Sequence, residues 1–239
     1  MKAGPARDWV RAWLPGRSAV DARERWRALL GAAIGIAFTG LLCHLFADAV
    51  GDAVWLIAPL GASAVLVFAL PASPLAQPWS VLGGNTLSVL VGIACARWIP
   101  DAAWAGAIAV GAAIGLMFWL RCLHPPGGAA ALLAVLTHST HFSFALFPTL
   151  ANSVLLVLAG VLYNTLTGRR YPHVQAAPKQ APPDARFSQA DIDAVLARYN
   201  QVLDISRDDL ASLIQQTELE AWLKRASGGA CFGAACTCG

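Results

Sequence analysis

Residues 102–136 read AAWAGAIAVGAAIGLMFWLRCLHPPGGAAALLAVL, and this stretch decides the fold. Ala102–Leu120 carries no charge and has the length, about 20 residues, that a helix needs to cross the hydrocarbon of a bilayer. The chain then turns through Arg121 and opens a second apolar run, Gly127–Leu136, at His124-Pro125-Pro126-Gly127-Gly128-Ala129. That run is too brief to span as a helix, and its prolines and glycines mark a break in regular structure. A long span followed by a short broken segment is the unit of this chain.

The same unit occurs earlier. Ala28–Ala47 is a long apolar run, and Trp55–Leu70 is a shorter one opening at Ala58-Pro59-Leu60-Gly61-Ala62-Ser63. Each half closes on another long run, Val81–Trp98 in the first and Leu146–Leu166 in the second. A shift of 67 residues (126 − 59) places Pro59 on Pro126, Gly61 on Gly128, Ala62 on Ala129 and Asn85 on Asn152. Trp98, Trp104, Trp119 and Tyr163 stand near run ends, where interfacial aromatics belong. The expected fold is an all-α integral membrane protein of two repeats, each a long span, a short broken Pro-Gly segment and a long span. If the short segments cross, there are six spans and the halves are inverted; if they re-enter, there are four and the halves are parallel.

Charge agrees with this partition. The chain of 239 residues is 13% charged, against about 25% for a soluble domain. Residues 1–27 hold seven Lys/Arg and three Asp/Glu, and residues 169–239 hold eight of each. Between Ala28 and Gly168 only Asp48, Asp52, Arg97, Asp101 and Arg121 are charged. A water-facing surface cannot be built from that stretch, so residues 28–168 are read as the membrane domain in contact with the lipid bilayer. Residues 1–27 are a basic leader, in which Trp9, Val10, Trp13 and Leu14 suit a short interfacial helix or an unstructured segment equally. No cleavable signal peptide is expected, because the first apolar run is long and lacks a cleavage site. Basic flanks before the first run and after the last place both termini in the cytoplasm of a multi-pass protein of the cell's inner (plasma) membrane.

Past Arg170 the composition changes. Residues 169–186 read as a Pro/Ala/Gln-rich linker, and residues 187–226 as two amphipathic cytoplasmic helices that need a packing partner. Residues 227–239 form a Gly/Ala/Cys tail with no expected order. Cys231, Cys236 and Cys238 match no closed zinc pattern, and no metal or other cofactor is expected. Cys43, Cys95 and Cys122 read as small buried apolar groups. No basic stripe accompanies exposed aromatics, which argues against a nucleic-acid partner. Without a nucleophile elbow, phosphate loop or metalloprotease helix, an enzyme is not expected.

The candidate site lies at the two Pro-Gly openings. Proline at a first helical turn sacrifices no intrahelical bond, glycine admits close approach, and the helix start favours an anion. Paired interrupted segments in two halves point to a transporter site. The candidate residues are therefore Gly61, Ala62 and Ser63 in one half, and Gly127, Gly128 and Ala129 in the other. Close helix packing is the competing explanation for such small residues. His124 is a candidate gate, anion ligand or proton relay, against a structural histidine bonded to a backbone carbonyl. Arg121 is a candidate ligand or a side chain that snorkels to the interface. Asn85 and Asn152 are candidates to bond unwound backbone or substrate, or to join helices.

On His124-Pro125-Pro126-Gly127-Gly128-Ala129 the chain resembles the HPP family of integral membrane proteins. Gly61-Ala62-Ser63-Ala64-Val65-Leu66, Ser73-Pro74-Leu75-Ala76-Gln77-Pro78 and Gly83-Gly84-Asn85 are similar to the family's other signature stretches, over about Trp26–Thr167. The resemblance implies a compact membrane domain, usually described as four spans, and small-anion transport, since plant plastid members are associated with nitrite movement. The helical pair with Leu203-Asp204-Ile205-Ser206-Arg207-Asp208-Asp209-Leu210 resembles the segment that bacterial members place before paired CBS domains. The stretch from Ser227 onward is unlike a CBS start, so the chain is expected to lack those domains and their nucleotide regulation.

Two functions from different classes follow. One is a transporter or channel for a small inorganic anion such as nitrite, with substrate held at the two short-helix starts. The other is a membrane sensor or scaffold whose cytoplasmic helices bind a partner or regulatory domain. A homo-oligomer is the base-rate expectation for a small transporter.

Overall fold

The breaks between helices fall where the prolines stand. In a computed structural model describing residues 22–50, 55–173 and 209–219, all regular structure is helical. Helix α1 spans Ala22–Val50, α2 Pro59–Ala69, α3 Pro78–Trp98, α4 Ala102–Trp119, α5 Pro125–Leu136 and α6 Ala151–Leu166. Proline occupies the first turn of α2, α3 and α5, where its missing N–H costs nothing. Asp101 caps α4, accepting from Ala103 N at 3.0 Å and Trp104 N at 2.9 Å. A helical segment also covers 209–219. Residues 1–21, the tail cysteines, most of the linker and the first amphipathic helix lie outside the described residues.

Three helices end in the same way. Cys122 N donates to Met117 O, Ser139 N to Ala134 O and Arg169 N to Asn164 O. The residue before each donor is left-handed: Arg121 (φ 54°), His138 (φ 50°) and Gly168 (φ 80°). This pattern closes a helix while satisfying its last carbonyls. Arg121 and His138 fill slots that favour glycine.

Four apolar helical runs are long enough to cross: Ala22–Leu45, Pro78–Trp98, Ala102–Trp119 and Ala145–Leu166. The last opens with a wide turn, Ala145–Leu150, bent at Phe147 ahead of Pro148. Arg23, Glu24, Arg25 and Arg27, assigned to the leader on charge, lie in the first turns of α1. The 11 residues of α2 and 12 of α5 rise only about 16 and 18 Å, against about 30 Å of hydrocarbon. The expected four full spans and two short helices are thus present.

Hydrogen bonds settle the sense of each leg. At one end, Arg27 in α1 meets Phe68 O at the end of α2 and Asn164 near the end of α6. At that same end, Trp79 at the start of α3 donates to Leu120 O after α4. At the other end, Asn152 early in α6 holds Trp55 O ahead of α2 and lies against Cys43 late in α1. Cys95 late in α3, Ala105 early in α4 and Val135 late in α5 share one core there. Tyr171, after α6, reaches Ala76, just before α3, and so fixes which ends coincide. Each short helix, with the connecting stretch before it, therefore carries the chain from one end toward the other. The chain makes six legs, and its halves are inverted.

The halves also exchange helices. α3 packs on α4 and α5, while α6 packs on α1 and α2. Each group of three thus has two members from one half and one from the other, with α2 against α5 and α3 against α6 between the groups. Large apolar side chains face outward, among them Trp26, Leu29, Ile34, Leu41, Trp104, Ile108, Trp119 and Leu162. Inside are Ala64, Ala109, Ala113, Ala130, Ala131 and Ala134 with buried Ser, Thr and Asn. Small residues bring backbones close, which is how helices bind in lipid.

Candidate functional site

Polar side chains inside an apolar bundle must find one another, because burying one alone costs several kcal/mol. Ser63 of α2, Asn85 and Ser88 of α3, His124 at the start of α5, and Thr149 and Ser153 of the α6 run are all fully buried. Asn85 lies about 10 Å along α3 from its start, well inside the bundle. Its Nδ2 donates to Ser63 Oγ at 3.2 Å and Ser153 Oγ at 3.3 Å. The Ser63 hydroxyl lies 2.8 Å from His124 Nε2. His124 Nδ1 lies 2.8 Å from the Leu75 carbonyl oxygen.

A carbonyl only accepts, so Nδ1 carries the proton and Nε2 of the neutral ring accepts from Ser63. The Pro59 carbonyl stands 3.3 Å from the same hydroxyl. Ser63 therefore has two acceptors for one proton. If Nε2 became protonated it would donate to Ser63 Oγ, and the hydroxyl would turn to Pro59. Asn85 Oδ1 and the hydroxyls of Ser88 and Thr149 have no hydrogen-bond partner among the described residues. Buried groups in that condition are unusual and ask for a reason.

Glycines let the site close. A Cβ on Gly84 would stand 3.0 Å from the Cys122 carbonyl oxygen and closer still to His124 Cβ. On Gly127 it would meet the Gly84 carbonyl oxygen at 2.7 Å and Ser88 Oγ at 2.8 Å. The start of α5 is thus pressed into α3 beside Asn85 and Ser88.

Ser63, Asn85, His124 and Gly127 come together as candidates. Asn152 is buried next to Ser153 but is engaged elsewhere. Its Oδ1 accepts from Ile57 N at 3.0 Å and its Nδ2 donates to Trp55 O at 3.0 Å. The repeat explains the difference. Asn85 reaches Ser63 across the junction, but the equivalent of Ser63 under the 67-residue shift (63 + 67) is Ala130, which offers no hydroxyl. Asn152 turns instead to the connecting stretch before α2. Gly61, Ala62 and Ala129 face outward, and Gly128 is half-buried toward Val110 of α4. Arg121 is exposed at the end of α4.

Sequence reasoning missed Ser88, Thr149 and Ser153. Ser88 follows Asn85 by three residues, which puts both on one helix face and was the available signal. It also missed Arg27, whose side chain is 9% exposed and bonds Asn164 Oδ1 at 2.8 Å, Phe68 O at 2.6 Å and Glu24 at 2.6 Å. Arg169 joins Glu24 at 2.8 Å, so this end of α1 is tied to the chain leaving α6.

Residues 17–172 match the transmembrane region of HPP proteins. The chain belongs to the HPP family. The matched span takes in both repeats and extends to Pro172, just past Tyr171. A transmembrane protein of Dictyostelium discoideum is 31% identical over 175 residues, covering 69% of this chain and 56% of its own length. A second transmembrane protein of that organism is 37% identical over 125 residues, covering 49% of this chain and 44% of its own length. The chain spans about half the length of these relatives. No solved structure matches it. The HPP membrane domain of this chain is accordingly an inverted pair of long–short–long units with its buried polar groups at their junction.

Proposed function

We propose that this HPP protein is a transporter or channel for a small inorganic anion. The observation that carries the reading is the Ser63–Asn85–His124 cluster, fully buried where two inverted repeats meet. Interrupted helices of inverted repeats are where secondary transporters place substrate. Among the described residues, the buried polar ones are Ser, Thr, Asn and His, with no Asp or Glu. Such a cluster supplies hydroxyl and amide donors without a negative charge, which suits an anion better than a metal cation. Nitrite is the anion nominated by the family resemblance, and the site makes no distinction between it and ions of similar size. The protein is read as a transporter, not an enzyme.

Arg23, Arg25, Arg27, Arg121, Arg169 and Arg170 stand at one end of the bundle, and Arg97 at the other, among the described residues. By the positive-inside rule the arginine-rich end faces the cytoplasm of the inner (plasma) membrane, with both chain termini on that side. A Cβ added at outward-facing Gly61, Gly111 or Gly115 would meet nothing within 4 Å, leaving room for lipid or a second copy in a homo-oligomer.

The test is uptake of nitrite, nitrate, formate and chloride into liposomes holding the purified protein, with Ser63→Ala and Asn85→Ala as comparisons. Saturable uptake of one anion, reduced at least tenfold in both folded variants, supports the reading. Uptake that is absent for every anion overturns it. The sensor or scaffold reading then takes its place, supported by the bond between His173 and Asp209 that ties the helix 209–219 to the membrane domain.

A further inference from the structure

Three consecutive residues before α3 face two different parts of the molecule. The Leu75 carbonyl accepts from His124 Nδ1 at 2.8 Å, inside the bundle. The next carbonyl, Ala76, accepts from the Tyr171 hydroxyl at 2.8 Å. The next side chain, Gln77, accepts at Oε1 from His173 N at 2.9 Å. Gln77 Nε2 also donates to Pro71 O at 3.1 Å and Ser73 O at 2.8 Å, bracing the connector from within. One peptide unit thus separates the group that holds the His124 ring from the group held by the segment after α6.

Tyr171 is an unusual residue for a linker. It is 3% exposed and belongs to the core of α2 and α6. A Cβ on Gly160 would stand 3.2 Å from its ring. His173 continues the strap outward, its Nε2 lying 3.0 Å from Asp209 Oδ1 at the start of the helical segment 209–219. A continuous set of bonds therefore runs from that segment through His173, Gln77 and Leu75 to the ring at the centre of the candidate site.

We propose that Tyr171 is a positioning residue for His124, acting through the Leu75–Gln77 backbone. The hydroxyl fixes the Ala76 peptide, the fixed peptide aims the Leu75 carbonyl, and that carbonyl sets both the orientation and the tautomer of the ring. The consequence for flux rests on the transport reading; the positioning itself does not. A load on helix 209–219 reaches the ring by the same route, which gives the cytoplasmic side of the protein a handle on the site.

The experiment is nitrogen-15 NMR of histidine-labelled full-length protein in bilayers, run beside the liposome uptake assay. The His124 signals are identified as those absent from His124→Gln. In Tyr171→Phe, which removes only the hydroxyl, the His124 Nδ1 signal shifts or splits, and uptake slows about threefold to tenfold, the weight of one hydrogen bond. Gln77→Leu reads the same peptide from its other neighbour and is expected to move the same signal. Ring signals unchanged in both variants overturn the proposal, whatever uptake does. A displaced signal in a protein that moves no anion upholds the positioning and sinks the transport reading.

Discussion

Gly92→Ala tests the helix exchange most directly. Gly92 lies on α3 where α5, a helix of the other half, crosses it. An added Cβ would stand 2.9 Å from Ala134 Cβ and 3.0 Å from Ala131 C, and closer still to the Ala131 carbonyl oxygen. Carbon atoms rest at about 3.5–4.0 Å, so the helices must part by roughly 0.5–1 Å at this point. A gap of that size forfeits about a quarter to a half of each affected contact. The obstacle is backbone, which has no rotamer to escape into. Overpacking costs about 1–3 kcal/mol, and the upper end applies here. Alanine's helix preference over glycine returns about 1 kcal/mol, leaving a net loss of about 2 kcal/mol. The control is Gly111→Ala on α4, where nothing lies within 4 Å, so only the helix preference acts and stability rises. The assay is thermal unfolding in detergent, followed by the monodisperse fraction on size exclusion. The expected shifts have opposite signs, a fall of about 4–8 °C for Gly92→Ala and a small rise for Gly111→Ala. Equal shifts of one sign would refute the close α3–α5 contact.

Four further outcomes follow from the geometry. Ser63→Ala leaves His124 Nε2 without its donor and takes from Asn85 Nδ2 one of its two acceptors, Ser153 Oγ remaining; thermal unfolding should show a loss of about 1–3 kcal/mol, partly restored by Ser63→Thr. Asn152→Leu strips Ile57 N and Trp55 O of their partner at membrane depth. Each such group costs several kcal/mol, so the yield of monodisperse protein should collapse. Arg121→Gly relieves a left-handed residue at φ 54° and should stabilise by about 1 kcal/mol in the same melt, with uptake unchanged. Burial pushes the Tyr171 phenol well above its ordinary value, near 10. Its ionisation is therefore favoured by unfolding: its contribution to stability is full below about pH 10 and declines above that. Alkaline absorbance titration should give the same phenolate signal at pH 10–11 for Tyr171→Phe as for the native protein, and a larger native signal in that range overturns it.

Much of this was legible because the bilayer makes sequence stringent. Pro59 and Pro125 mark helix starts that charge and length alone would have blurred, whereas the run read from Val81 in fact starts at Pro78. Ser63, Asn85 and His124 stood out as polar groups in apolar runs, and they do meet. Of their neighbours at the Pro-Gly openings, only Gly127 joins them. Successive helical residues rotate by about 100°, so a motif of three lines cannot all face one site. Ser63 and Gly127 point inward, while Gly61, Ala62, Gly128 and Ala129 lie on other faces. Tyr171 was hidden by a linker composition and Arg27 by a basic leader, since a charge count cannot see a partner such as Asn164 far along the chain. The exchange of long helices was also out of reach, because hydropathy says that a helix is buried and not by what. The choice between six legs and four needed only two contacts at opposite ends.

That exchange dictates an order of assembly. The ribosome delivers α1 and α2 first, yet α6, the helix that completes their group, arrives last. Until then Arg27 waits in or near the lipid with Glu24 beside it and without Asn164. Either half made alone leaves a group of three helices without one of its members. Cutting the chain in the turn between α3 and α4 should accordingly yield two fragments that are each degraded when made alone and recovered together when made in one cell.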